Sequence, residues 1–130
     1  MSYDIAVYER AFLLRALAEN LGDWTGAPRL PQEALERVVE LASEAGFEAV
    51  PIDPAFREFS REQGLEPGQE FNLDTTSHLA QLTVFPAEIA FTVPYAPRGA
   101  ASITLCSSIA RTVAREHSLG YYDPQTGEAG

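Results

Sequence analysis

Residues Ile109–Gln125, IARTVAREHSLGYYDPQ, decide the fold. Ile109 and Val113 continue an apolar stripe that includes Cys106 and Ala110, the spacing of one helix face, with Leu105 beside it. Arg111 and Arg115 fall one turn apart on the outer side. The helix is expected to begin near residues 101–103, capped by Ser102, and to end at Glu116-His117, where an imidazolium meets the negative end of the dipole. Leu119–Tyr122 then reads as a strand, with one tyrosine inward and one outward, and Asp123-Pro124 turns out of it. A His, two Tyr and an Asp fall within seven residues here, yet their spacing assigns each a structural place. The stretch completes a sheet.

Working outward, three more strands are expected. Tyr3–Tyr8 alternates Tyr3, Ile5 and Val7 against Asp4, Ala6 and Tyr8. Leu79–Phe85 and Glu88–Tyr95 flank Pro86-Ala87 and read as a hairpin, and Pro94 implies that the second strand ends there or lies at an edge. Between the first strand and this hairpin lie the helices. Arg10–Leu21 carries Phe12, Leu13, Leu17 and Leu21 at helical spacing and stops at Gly22. Trp24, in the following loop, is read as folding back over the core or as a binding hot spot. Pro31–Ala45 has Leu35, Val38, Val39 and Ala42 on one side and Glu33, Glu36, Glu40 and Glu44 on the other, with Gly46 ending it. Phe47–Ile52 is a short extended segment. Asp53 caps a helix from Pro54 to about Gln63, anchored by Phe56 and Phe59. Gly64, Pro67 and Gly68 mark a loop.

The element order predicts an α+β domain over residues 1–125. Its expected core is a four-stranded antiparallel sheet, ferredoxin-like β-α-β-β-α-β, with extra helices in the first crossover. Residues 126–130 are expected to form a flexible tail.

The chain has 130 residues and a net charge of −10, with 19 acids and nine basic residues, all Arg. Between Glu33 and Asp74 eleven acids face three arginines, so −8 of the charge lies in the middle third. Such a balance argues against nucleic acid and anionic membranes and favours a basic partner or simple solubility. The N-terminus has no basic signal-peptide start, no apolar run reaches membrane length, and Cys106 is the sole cysteine. A cytoplasmic protein without a disulfide is expected.

No catalytic set stands out. Cys106 and His117 are eleven residues apart, roughly 16 Å along one helix at 1.5 Å per residue. Asp74 with Ser77-His78 lacks a Gly-x-Ser-x-Gly turn, and adjacent strand residues point to opposite faces. His78 and His117 have no metal-ligand spacing, and no glycine-rich phosphate loop is present. No enzyme activity and no cofactor or metal is expected.

Tyr3–Glu9, YDIAVYE, together with Ala114, Leu119 and the run Tyr122-Asp123-Pro124-Gln125, resembles small bacterial immunity proteins of polymorphic-toxin systems. The resemblance implies a cytosolic inhibitor that caps a toxin domain and occludes its active site. Trp24, Glu36, Glu40, Glu44, Glu58 and Glu62 are the expected partner-binding residues. The rival expectation is a small-molecule-binding or hydrolytic domain with a cleft between sheet and inserted helices. A homodimer pairing sheet faces or edges is a third.

Overall fold

A computed structural model of the chain describes residues 2–64, 68–94 and 98–130. In chain order the elements are β1 (Ser2–Tyr8), α1 (Arg10–Ala18), α2 (Gln32–Ala45), β2 (Glu48–Ala49), α3 (Pro54–Glu62), β3 (Gln69–Asp74), β4 (Leu79–Val84), β5 (Ile89–Pro94), α4 (Gly99–Glu116), β6 (Gly120–Asp123) and β7 (Glu128–Ala129). The strands form one antiparallel sheet in the order β2-β3-β4-β5-β1-β6-β7.

The fold is therefore α+β, but among the described residues its sheet has seven strands rather than the expected four. The four expected strands, β1, β4, β5 and β6, lie side by side at its centre as β4-β5-β1-β6. The unforeseen β3 buries Phe71 and Leu73 and turns Asn72 and Asp74 outward, a period-two pattern hidden by its acids and by the turn residues before it. β2 and β7 are two-residue edge strands, too short to leave a pattern. Residues 126–130, expected as a tail, form a turn and β7, which pairs Tyr122 with Ala129 and Asp123 with Glu128.

Two layers cover the sheet. On one face α2 and α4 pack over Ile5, Val7, Phe71, Leu73, Leu82, Ile89, Phe91, Val93 and Tyr121. Each fully buried Leu, Ile, Val or Phe there contributes about 1.5–3 kcal/mol. α4 presents Cys106, Ile109, Ala110 and Val113, the stripe expected from the sequence, and buries Ser102 with them. It begins at Gly99, however, and Ser102 does not cap it. The Ser102 hydroxyl is wholly buried, donates to the Arg98 carbonyl at 2.7 Å and accepts from the Leu79 N–H at 2.9 Å. α2 turns Ala34, Val38 and Ala42 inward and leaves Leu35 and Val39 half-buried at its margin.

On the other face α1 buries Phe12, Leu13 and Ala16 against β6. Its first turn is capped by the Glu9 carboxylate, which accepts from Ala11 and Phe12 N–H groups. α1 ends earlier than Gly22 because Asn20 adopts the left-handed turn at φ 52°. Asp53 caps α3 as expected, accepting from Ala55 N–H. Phe56 and Phe59 do not anchor α3: each is 57 % exposed, and Ser60 is the buried residue of that helix. The expected loop position Pro67 and Tyr95, the last residue of the expected second hairpin strand, lie outside the described residues. Among the described residues no helix is long and apolar enough to cross a membrane.

Candidate functional site

The β4–β5 turn is where the expected site residues begin to converge. Phe85 N–H bonds to the Glu88 carbonyl across the turn, and Leu30 N–H holds the Pro86 carbonyl at 2.7 Å. That second bond fastens the loop before α2 to the hairpin tip. Two open clefts meet there. One, of about 660 Å³, is walled by Tyr8, Trp24, Thr25, Phe85, Pro86 and Glu88 and reaches Gly64 just beyond α3. The other, of about 510 Å³, is walled by Gln32, Leu35, Glu36, Val39 and Val84, and shares Arg29, Phe85 and Pro86 with the first.

Trp24 is the organising side chain of the first cleft. Its ring stacks on Tyr122 with centroids 5.8 Å apart, and meets Tyr8 and Phe12 edge-on at 5.0 and 6.0 Å. The indole N–H donates to the Leu21 carbonyl at 2.9 Å. Trp24 thus covers the α1 side of the sheet while one part of it remains on the cleft wall. The Tyr8 hydroxyl donates to Glu88 at 2.5 Å. Burial, and then the Glu88 carboxylate, push the Tyr8 phenol far above its ordinary pKa, so it stays protonated.

The acidic residues divide between two helices. Glu36 lies on the wall of the second cleft. Glu40 and Glu44 continue the exposed ridge of α2, roughly 6 and 12 Å further along the axis at 1.5 Å per residue. Arg37 interrupts that ridge: it bonds Glu40 at 2.6 Å and reaches Glu116 of α4 at 2.9 Å. Glu58 and Glu62 are exposed on α3, flanking Phe59. The geometry places Trp24 and Gly64 on one cleft at the hairpin tip and Glu36 on the other, whereas Glu40 and Glu44 extend beyond them and Glu58 and Glu62 line neither. Phe56 and Phe59 were misread because α3 has a strong apolar side that would ordinarily face a core. Nothing in the spacing of a short helix says whether a partner element covers it.

The nucleophile and acid–base candidates of the sequence lie in separate places in the fold. Burial raises the Cys106 thiol to about 12, so it is uncharged at neutral pH. Ser77 and His78 sit in the β3–β4 turn, where Ser77 Oγ lies 2.7 Å from His78 Nδ1. Adjacent residues can meet there because the turn breaks the strand alternation assumed from the sequence. The Asp74 carboxylate is held by Arg98 at 2.9 Å, not by His78. Among the described residues no group of three or more His, Cys, Asp or Glu is arranged to hold a metal ion.

The familiar-looking chain ends have a structural explanation. Asp123 is buried and accepts from the Tyr3 hydroxyl, from the side-chain and backbone N–H groups of Gln125, and from Thr126 N–H. Burial alone would raise its pKa, but these donors outweigh it and hold the carboxyl below its usual range.

No family model matches the chain, and neither does any curated protein or solved structure.

Proposed function

We propose that the chain is a non-enzymatic protein-binding domain that docks a basic partner, a toxin domain whose active site it covers. One observation carries this reading: α3 presents Phe56 and Phe59, each 57 % exposed, in a helix that also displays Glu58 and Glu62. Exposed aromatic anchors beside carboxylates suit a partner with an apolar pocket rimmed by cations. The surrounding charge favours the same partner, since −8 of the net −10 lies between Glu33 and Asp74. Trp24 and Glu36, on the two clefts at the hairpin tip, extend the surface, and Glu40 and Glu44 supply long-range attraction.

The test is co-purification with the products of neighbouring genes, followed by association kinetics. A basic partner should bind, and cells expressing the chain should survive that partner's toxicity. Phe56→Ser with Phe59→Ser should raise the dissociation rate at least tenfold, since an anchor loss of about 2 kcal/mol exceeds one decade. Absence of a basic partner, or an unchanged dissociation rate, would sink the reading.

The cleft walled by Tyr8, Trp24 and Glu88 favours a second reading, a small-molecule site. Its volume, about 660 Å³, falls in the range of ligand pockets, roughly 300–1,000 Å³. Saturable binding of a small molecule that Trp24→Ala abolishes and Phe56→Ser leaves intact would separate the two. A homodimer covering the same phenylalanines would show as a doubled mass in sedimentation.

A further inference from the structure

At the β7 edge of the sheet, an acidic molecule concentrates positive charge. We propose that the cleft at the β6–β7 edge binds a phosphoryl group through Arg10, Arg111 and Arg115. The chain has only nine cationic side chains, and three of them line this one cleft of about 480 Å³. The inference is independent of the protein-docking reading, because it uses different residues on a different edge.

Each arginine is delivered by a separate structural cause. Arg111 and Arg115 are four residues apart on α4, so they point from the same helix side. Arg10 opens α1, whose first turn lies against Gly120 so closely that a Cβ there would sit 3.2 Å from Arg10 Cα. Arg111 is already held in place: its guanidinium lies 4.3 Å over the Tyr121 ring and bonds Glu128 at 2.5 Å. A fixed, stacked guanidinium loses little freedom when it meets an oxyanion.

Among the described residues neither Arg10 nor Arg115 has an ion-pair partner. Their sequence neighbours that carry acids are committed elsewhere. Glu9 caps α1 through two backbone N–H groups, and Glu116 is held by Arg37 at 2.9 Å. Like charges at a four-residue spacing repel, and Glu128 pairs with Arg111 alone, so Arg10 and Arg115 are left to meet an added anion. A phosphate dianion neutralises two cations at once, and its oxygens match guanidinium forks. The cleft is also roomier than phosphate alone requires, so it admits the body of a small phosphate monoester.

The experiment is a titration of the folded chain followed by the arginine Nε–H signals in NMR spectra. Its probes are inorganic phosphate, glycerol 3-phosphate and adenosine monophosphate, with acetate and chloride as references. Phosphate should give saturable shifts confined to Arg10, Arg111 and Arg115. A monoester at least about tenfold tighter than phosphate identifies a small phosphorylated molecule as the ligand; equal affinities identify free phosphate. Arg10→Gln with Arg115→Gln should weaken binding about tenfold or more, whereas Arg57→Gln with Arg61→Gln should not. Glu128→Gln should preserve or tighten binding, because it removes a carboxylate that competes for Arg111. Circular dichroism confirms that these surface variants are folded. Shifts no larger than those of acetate, or an Arg10/Arg115 variant that binds as the parent does, would overturn the proposal.

Discussion

The side-chain amide of Gln125 pairs with the backbone of Asp4 as though it were a strand. Asp4 N–H donates to Gln125 Oε1 at 2.7 Å, and Gln125 Nε2 donates to the Asp4 carbonyl at 2.7 Å. The reason is Pro124. The β1–β6 register pairs Ala6 with Tyr122 and Tyr8 with Gly120, so the next position along places Pro124 opposite Asp4. Proline has no N–H to give, and the ladder would end there. The neighbouring glutamine supplies both missing partners. Gln125→Ala should therefore cost about 1.5–3 kcal/mol, since it removes these two hydrogen bonds and a third from Gln125 Nε2 to the Asp123 carboxylate. Gln125→Glu should cost at least as much, because a carboxylate cannot donate to the Asp4 carbonyl and would sit beside Asp123. Urea denaturation measures the loss, and amide exchange at Asp4 should accelerate in both variants.

Asp123 makes stability depend on pH at the acid end. Its folded pKa is lowered below the unfolded value of 3.8, so its contribution is complete above that value and is lost as pH falls through the folded pKa. Asp123→Asn should flatten the stability profile below about pH 5 and lower stability at pH 7 by about 2–3 kcal/mol, the range for hydrogen bonds to a charged group. Stability measured by urea between pH 2 and 7 checks both. An Asn variant with the parent's acid slope would assign that slope to other carboxylates.

Where the sequence carried a long, clean period, it was readable. β1, the β4–β5 hairpin, α4 and β6 each follow from alternation or a helical stripe, and Gly46 ends α2 in the left-handed region at φ 105°. β3 was missed because its outward positions are polar and acidic while only Phe71 and Leu73 mark the core. β2 falls inside the extended segment expected over Phe47–Ile52, but β7 pairs with β6 where no local pattern records a strand. The site is harder still. The sequence lists the acids and Trp24, but the meeting of Trp24's cleft with Glu36's at Arg29, Phe85 and Pro86 depends on how the pre-α2 loop fastens to Pro86. That fastening is a backbone bond from Leu30, invisible to residue type.

Ser102 is a buried hydroxyl with two fixed duties. It ties the start of α4 to β4 by accepting from the Leu79 N–H, while satisfying the Arg98 carbonyl. Ser102→Ala should cost about 1–3 kcal/mol, because the Leu79 N–H is left without its partner. Ser102→Thr adds a methyl where no surface is exposed and should also destabilise. Thermal unfolding of the two variants gives the ranking, and Leu79 amide exchange shows whether the lost bond is the cause.

Gly120 sets the distance between α1 and β6. A Cβ at this position would lie 2.7 Å from Leu13 Cδ2 and 3.3 Å from Leu13 Cβ, with Leu13 fully buried. Leu13 cannot swing into solvent, so α1 must lift. Gly120→Ala should destabilise by about 1–3 kcal/mol, the usual cost of overpacking. Leu13→Ala introduced with it should recover part of that loss, since the truncated side chain vacates the space. A double-mutant cycle by urea denaturation reads the coupling, and additive losses would place the strain elsewhere.

The exposed side of α3 makes the opposite prediction. Phe56 and Phe59 are more exposed than buried, so replacing them with serine removes little core area. Phe56→Ser with Phe59→Ser should change stability by less than about 0.5 kcal/mol per site and raise solubility, as surface substitutions away from packed groups do. Charge reversal on α2 acts on a different quantity. Glu40→Arg with Glu44→Arg removes two acids and adds two cations, and it also breaks the Arg37–Glu40 pair. Against a basic partner this variant should associate more slowly at low salt, with the difference fading as ionic strength rises toward screening distances of about 8 Å. Stopped-flow association across a salt series separates the two helices. A ridge that only attracts alters the on-rate, while phenylalanines that seat in a pocket alter the off-rate. If the α2 reversal leaves the on-rate unchanged at low salt, the ridge does not steer the encounter, and the contact rests on α3 and the hairpin tip.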